Sequence, residues 1–264
     1  MSAGLAVRGE PTGTPDRTGP VRRHRSRVHV SLGDSIASGE GVGLEVAPAD
    51  TWAGLLAAAA DAPFVPLARG GAPVAAVIRD QLPVALEHQP DLAYVCVGLN
   101  DLFRSGGATE QAPAAIAELV RELRQDGTRV VVTRLHDPTR ILPFPGRLGR
   151  SIRAHVAAIN ECLDDFRSDA GVHLLDVAPL TEQPECWAVD RMHPSAHGHR
   201  MLAAHAAAGL GLRIDVGPAP AAPSAAAWWF WLARHGVPWL AARTPELISS
   251  EPLRRHAQRL AYSG

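Results

Sequence analysis

Four short stretches of the chain carry residue types able to act together on a carbonyl. In residues 28–39, VHVSLGDSIASG, a β-branched apolar run ends in Gly33, Asp34 and Ser35. This reads as strand, tight turn and helix start, with Ser35 exposed at the carboxyl end of a strand. Taken alone, Ser35 reads equally well as a simple helix cap. In residues 190–195, DRMHPS, Asp190 and His193 stand three apart in a turn before a helix. A carboxylate so placed can accept the imidazole Nδ1 proton and turn Nε2 outward as a base. A serine hydroxyl needs such a base to attack at neutral pH. Residues 98–101, GLND, offer the Asn100 amide as a neutral donor for a developing oxyanion, and Gly71 offers a backbone N–H that no side chain shields.

For these residues to meet, the elements between them must bring distant stretches to one edge. Short apolar runs at 28–32, 64–68, 91–98, 129–135 and 172–176 read as strands. The run at 91–98, DLAYVCVG, is apolar without alternation, as expected of a strand buried on both faces. Between them lie helical patterns. WAGLLAAAA follows the cap candidates Asp50 and Thr51, and residues 74–88 carry Val77, Ile78 and Leu82 at helical spacing with Pro83 as a kink or split. Ile116, Leu119, Val120 and Leu123 mark a third helix that Gly127 stops. Leu148, Ile152, Val156, Ile159, Leu163 and Phe166 mark a fourth, and residues 195–210 a fifth. Strands alternating with helices predict an α/β fold with a five-stranded parallel sheet covered on both faces. Right-handed crossovers then put Ser35, Gly71, Asn100 and His193 on one edge of that sheet.

With those residues in view, the chain resembles the SGNH hydrolases, the GDSL esterase and lipase superfamily. The matching residues are Gly33, Asp34 and Ser35; Gly71; Gly98, Asn100 and Asp101; and Asp190 with His193, in the family's order across about residues 27–212. The resemblance implies a flavodoxin-like three-layer α/β/α sandwich and a carboxylic ester hydrolase working through an acyl-serine intermediate. It assigns Ser35 as nucleophile, His193 as general base and acid, and Asp190 as the partner that orients it. It builds the oxyanion hole from the Ser35 and Gly71 backbone N–H groups and the Asn100 side chain. It implies no cofactor and no metal. Two departures stand out: Pro66 occupies a position where the family often has Asn, and Gly70 precedes Gly71. Gly70 and Gly71 are both candidate donors, and the family pattern, which realigns at Gln81, Leu82 and Pro83, favours Gly71.

Other readings carry less. Gly39, Gly41 and Gly43 follow the first strand, but their spacing is not that of a dinucleotide-binding turn. His193, His197 and His199 with Asp190 could ligate a metal, yet histidines at a helix start are expected to be solvated or capping. Cys186 has no separate base, and Cys96 and Cys162 sit at apolar positions as core thiols. An acyltransferase using the same acyl-serine, or a non-catalytic small-molecule binding module on the same fold, are the alternatives. The expected partner is a small-molecule acyl ester.

Composition narrows the remaining classes. A net charge of −1 over 264 residues argues against nucleic acid as a partner. Residues 1–26 hold Gly, Pro and Arg without an apolar core, so they read as a disordered tail and not a secretory signal. Three widely spaced cysteines fit a reducing, cytoplasmic setting, and nowhere do 18 apolar residues run together as a membrane span. The loop at 138–150, with Pro143, Phe144 and Pro145, reads either as a pocket wall or as plain connection. Beyond the hydrolase domain at 27–212 comes a Pro/Ala linker at 213–227, then a Trp-rich helical extension at 228–264. Its cluster at 228–239 could be a membrane-surface or partner helix, but Arg234 and His235 supply little of the basic face that membrane binding uses, so an aromatic helix folding back onto the domain is expected, with self-association through the same region as the alternative.

Overall fold

The computed structural model describes residues 27–238, apart from 42, 43, 105–107, 126, 143 and 145. The expected tail at 1–26, residues 239–264 of the extension, and Pro143 and Pro145 of the 138–150 loop lie outside the described residues. In chain order the elements are β1 (His29–Gly33), α1 (Ser35–Ser38), a small hairpin of β2 (Glu40–Gly41) and β3 (Leu44–Glu45), α2 (Trp52–Ala59), β4 (Phe64–Pro66), α3 (Val74–Ala76), α4 (Leu82–Glu87), β5 (Leu92–Cys96), α5 (Ala108–Gln125), β6 (Arg129–Arg134), α6 (Gly146–Asp164), β7 (Val172–Asp176), α7 (Ala196–Leu210) and α8 (Ala225–Trp231).

The main sheet has five strands in the order β4-β1-β5-β6-β7, all parallel. Numbered by chain position within the sheet, that is 2-1-3-4-5, the flavodoxin-like order, with its switch point between β1 and β5. Alternation along the strands builds the two outer layers. Val30, Leu32, Ala93, Val95, Val130 and Val132 face one core with residues of α3 to α6, including Val74, Leu82, Ile116 and Ile152. Tyr94, Cys96 and Val131 face the other core with Trp52 and Leu56 of α2 and Leu202 of α7. The three-layer α/β/α sandwich is therefore present as expected.

The helix at 74–88 is interrupted as Pro83 requires. A π turn at Val77–Gln81 separates α3 from α4, and Pro83 sits in the first turn of α4, where a missing N–H costs least. One boundary differs from expectation: α8 begins at Ala225, inside the segment read as linker. Ser224 accepts a hydrogen bond from the Ala227 N–H at 3.1 Å, and three alanines then favour helix where the Pro/Ala pattern suggested none. Cys96, Cys162 and Cys186 are all free thiols, Cys96 and Cys186 buried and Cys162 half-buried. Among the described residues no helix is long and apolar enough to cross a membrane.

Candidate active site

The serine side of the site is built into the sheet. β1 ends at Gly33, whose φ of +134° and close pairing with β5 admit only glycine: a Cβ there would lie 1.9 Å from the Cys96 carbonyl oxygen. The buried Gln81 side chain reaches this peptide from the π turn. It accepts from the Gly33 N–H at 2.7 Å and donates to the Gly33 carbonyl at 3.0 Å. Asp34 donates its own N–H to the Cys96 carbonyl at 2.9 Å and caps α1 by accepting from the Ile36 N–H at 3.1 Å. Burial pushes the Asp34 carboxyl up to about 7, against the pull of the Ile36 hydrogen bond and of His193. Ser35, the first residue of α1, is thereby fixed at the carboxyl end of β1.

The histidine side lies in the turn leading into α7. An isolated bridge between Trp187 and Pro194 closes the turn, and the Ala188 N–H donates to the His193 carbonyl at 2.9 Å. Asp190 is buried inside it. Its Oδ1 accepts from the Met192 and His193 N–H groups at 2.9 and 3.0 Å, and its Oδ2 accepts from His193 Nδ1 at 2.5 Å. Burial alone would raise the Asp190 carboxyl, but the His193 hydrogen bond and charge, with the two backbone donors, hold it below the usual carboxylate range. With Nδ1 donating to Asp190, His193 Nε2 is the acceptor that faces Ser35 Oγ at 2.9 Å. Residues 158 positions apart are thus joined in one hydrogen-bonded chain.

Gly71 and Asn100 border the same edge. Gly71 has a φ of +73°, with open space where a Cβ would stand. The neighbouring Gly70 N–H is taken by the Glu40 carboxylate at 2.5 Å. Arg104 donates to the Gly71 carbonyl at 3.1 Å, which fixes the peptide that follows. Asn100 Nδ2 donates to Asp34 Oδ2 at 3.2 Å and, more weakly, to the Ala72 carbonyl at 3.4 Å. The loop carrying Asn100 is held from two sides. His155 Nε2–H of α6 donates to the Gly98 carbonyl at 2.7 Å, and the Asp101 carboxylate accepts from the Val74 N–H at 3.2 Å. Burial raises Asp101 to about 6.

Three supports make contacts that no local sequence pattern marks: Gln81, His155 and His199 each act on a residue far along the chain. His197 and His199 are buried, which corrects the expectation of solvated side chains at the start of α7. His199 does cap a helix, though not its own: its Nδ1 accepts from the Trp52 N–H at 3.2 Å at the start of α2. Burial pushes it down to about 3, so it remains neutral. His136, after β6, packs its ring 4.8 Å from that of Trp187, and burial lowers it to about 4.

A serine, a histidine and an aspartate linked at the switch point of a flavodoxin-like sheet define a class, the three-layer α/β/α hydrolases. Residues 31–201, about two thirds of the chain, match the family model described as GDSL-like Lipase/Acylhydrolase, and the chain belongs to that family. It is a hydrolase of carboxylic esters in kind. Solved structures share the fold at low identity. A lipase from a goat rumen metagenome is 16% identical with a TM-score of 0.56, covering 69% of this chain and 96% of its own. The psychrotrophic esterase EstA from Pseudoalteromonas sp. is 14% identical with a TM-score of 0.53, covering 70% and 97%. An acetylxylan esterase from Geobacillus stearothermophilus is 16% identical with a TM-score of 0.54, covering 74% and 97%. No curated protein sequence matches the chain.

Proposed function

We propose that the chain cleaves carboxylic esters through an acyl-Ser35 intermediate. The observation that carries this reading is the hydrogen-bonded series from Ser35 Oγ through His193 to the buried Asp190 carboxylate. His193 Nε2 takes the hydroxyl proton as Oγ attacks the ester carbonyl. Asp190, kept ionised, stabilises the imidazolium and holds the ring with Nε2 toward the serine. The tetrahedral oxyanion is received by the Ser35 and Gly71 N–H groups and by Asn100. Gly71 suits this role because the Gly70 N–H is already spent on Glu40. In Asn100 the donor hydrogen spanning 3.4 Å to the Ala72 carbonyl, longer than a good hydrogen bond, is the one the oxyanion takes. Collapse of the intermediate expels the alcohol, which leaves with the proton from Nε2. Water then attacks the acyl-Ser35 carbonyl, gives its proton to Nε2, and frees the acid and the serine.

The test is steady-state hydrolysis of p-nitrophenyl esters from acetyl to long acyl chains. Ser35→Ala should fall to the residual rate supplied by binding and oxyanion donors, about 10³-fold or more below the wild type. Turnover unchanged by Ser35→Ala would overturn the reading.

A further inference from the structure

Among the described residues the exposed large apolar side chains are Val84, Met192, Trp229, Phe230 and Val237. All but Val84 lie on the Asp190–His193 turn or on the aromatic arm formed by α8, the π turn at Leu232–Gly236 and Val237, which caps it. The arm is fastened to that turn. The Arg191 guanidinium lies 5.4 Å from the Trp228 ring centroid, and Trp228 packs edge-on against Trp229 at 4.7 Å. Trp228 therefore folds inward, whereas Trp229 and Phe230 remain 63% and 71% exposed. Folding back half-buries Trp228 and Trp231 and leaves Trp229 and Phe230 in water. That costs hydrophobic free energy unless something covers them.

Charge indicates what does. Residues 216–264 hold five arginines, Arg234, Arg243, Arg254, Arg255 and Arg259, against Glu246 and Glu251 alone, in a chain whose net charge is −1. The arm itself carries Arg234, and the sequence that continues from it, residues 239–264, holds the other four of these arginines. An aromatic arm that leads into a basic sequence, on an otherwise acidic protein, is repelled by its own copies and attracted to a negative surface. Tryptophan and phenylalanine flanked by arginine match the boundary between lipid headgroups and acyl chains. We propose that the arm docks the protein on an anionic lipid surface through Trp229, Phe230 and Val237, with the Asp190–His193 turn, Met192 foremost, brought against that surface. This docking is independent of whether Ser35 is the nucleophile.

The experiment is flotation of the full chain with vesicles of phosphatidylcholine, with and without phosphatidylglycerol, alongside the double variant Trp229→Ser, Phe230→Ser. The wild type should float with the anionic vesicles, its tryptophan emission shifting to the blue. The double variant should lose about tenfold or more in partition coefficient. Its turnover of a soluble short-chain ester should match the wild type, which shows that the fold and the Ser35 site are intact. Absence of wild-type flotation on either vesicle, or equal flotation of the double variant, would overturn the proposal. So would a concentration-dependent dimer in sedimentation velocity that the double variant loses while neither protein binds vesicles; the arm would then be an interface between copies.

Discussion

The two sides of the site are held by different means. On the serine side, Gly33, Asp34 and Ser35 are extensions of a central strand. The Cys96 carbonyl, Gln81 and the β1–β5 pairing fix them, all within the buried core. On the histidine side, Asp190 and His193 stand outside the sheet in a turn closed by one isolated bridge, and Arg191 sits there at a φ of +59°, a left-handed conformation costly for a side chain. The outermost contact of that turn is with an aromatic arm, not with the core. The difference teaches that the fold fixes Ser35, the proposed nucleophile, and local hydrogen bonds fix His193, the proposed base. Damage on the serine side should therefore cost folding, and damage on the histidine side should cost turnover with the fold kept.

The sharpest break in that comparison is Asp190→Asn. Oδ1 is committed to accepting from Met192 and His193, so an asparagine there must turn its Nδ2 toward His193 Nδ1. The imidazole is then forced to carry its proton on Nε2 and cannot accept from Ser35. kcat should fall by about 10⁴ while the thermal midpoint changes little, read by ester hydrolysis and calorimetry on the same sample. On the other side, Gly33→Ala drives a Cβ into the Cys96 carbonyl in a backbone conformation that alanine resists. It should destabilise the protein by about 3–5 kcal/mol in denaturant unfolding, with activity lost in proportion to unfolding. A Gly33→Ala protein of normal stability, or an unfolded Asp190→Asn, would erase the contrast.

The smallest effect concerns His199, buried where α7 meets the start of α2. Burial pushes His199 from the ordinary 6.5 down to about 3 in the folded protein, so the unfolded chain binds the extra proton between those values. Stability from this group is complete above pH 6.5 and is lost as pH falls. His199→Asn keeps an acceptor for the Trp52 N–H and removes the titration. It should therefore lessen acid destabilisation by about 1.4 kcal/mol for each pH unit below 6.5, read from melts at pH 7.5, 6.5 and 5.5. The parallel slope from His136 would persist in that variant.

What could be read from the sequence follows the same division. The five strands, their order of use and the residues Ser35, Gly71, Asn100, Asp190 and His193 are marked by local patterns: apolar runs, turn glycines and an i, i+3 carboxylate and imidazole. Gln81 and His199 are not, because their partners lie 48 and 147 residues away and a buried side-chain contact of that span leaves no periodicity to detect. The π turn that aims Gln81 is foreshadowed only by Pro83. Nothing in the sequence around Arg191 marks its link to Trp228, since the stacking joins two segments that look like unrelated turn and tail. The start of α8 is not marked either, because alanines beside prolines read as linker until Ser224 is seen to cap them.

The central claim is that Ser35 carries the acyl group, and covalent labelling reads it directly. Wild-type protein treated with a fluorophosphonate and analysed by intact mass and peptide mapping should gain one phosphonyl group on Ser35. His193→Ala should label far more slowly. A single adduct elsewhere with ester turnover preserved, or turnover without any adduct, would contradict the account.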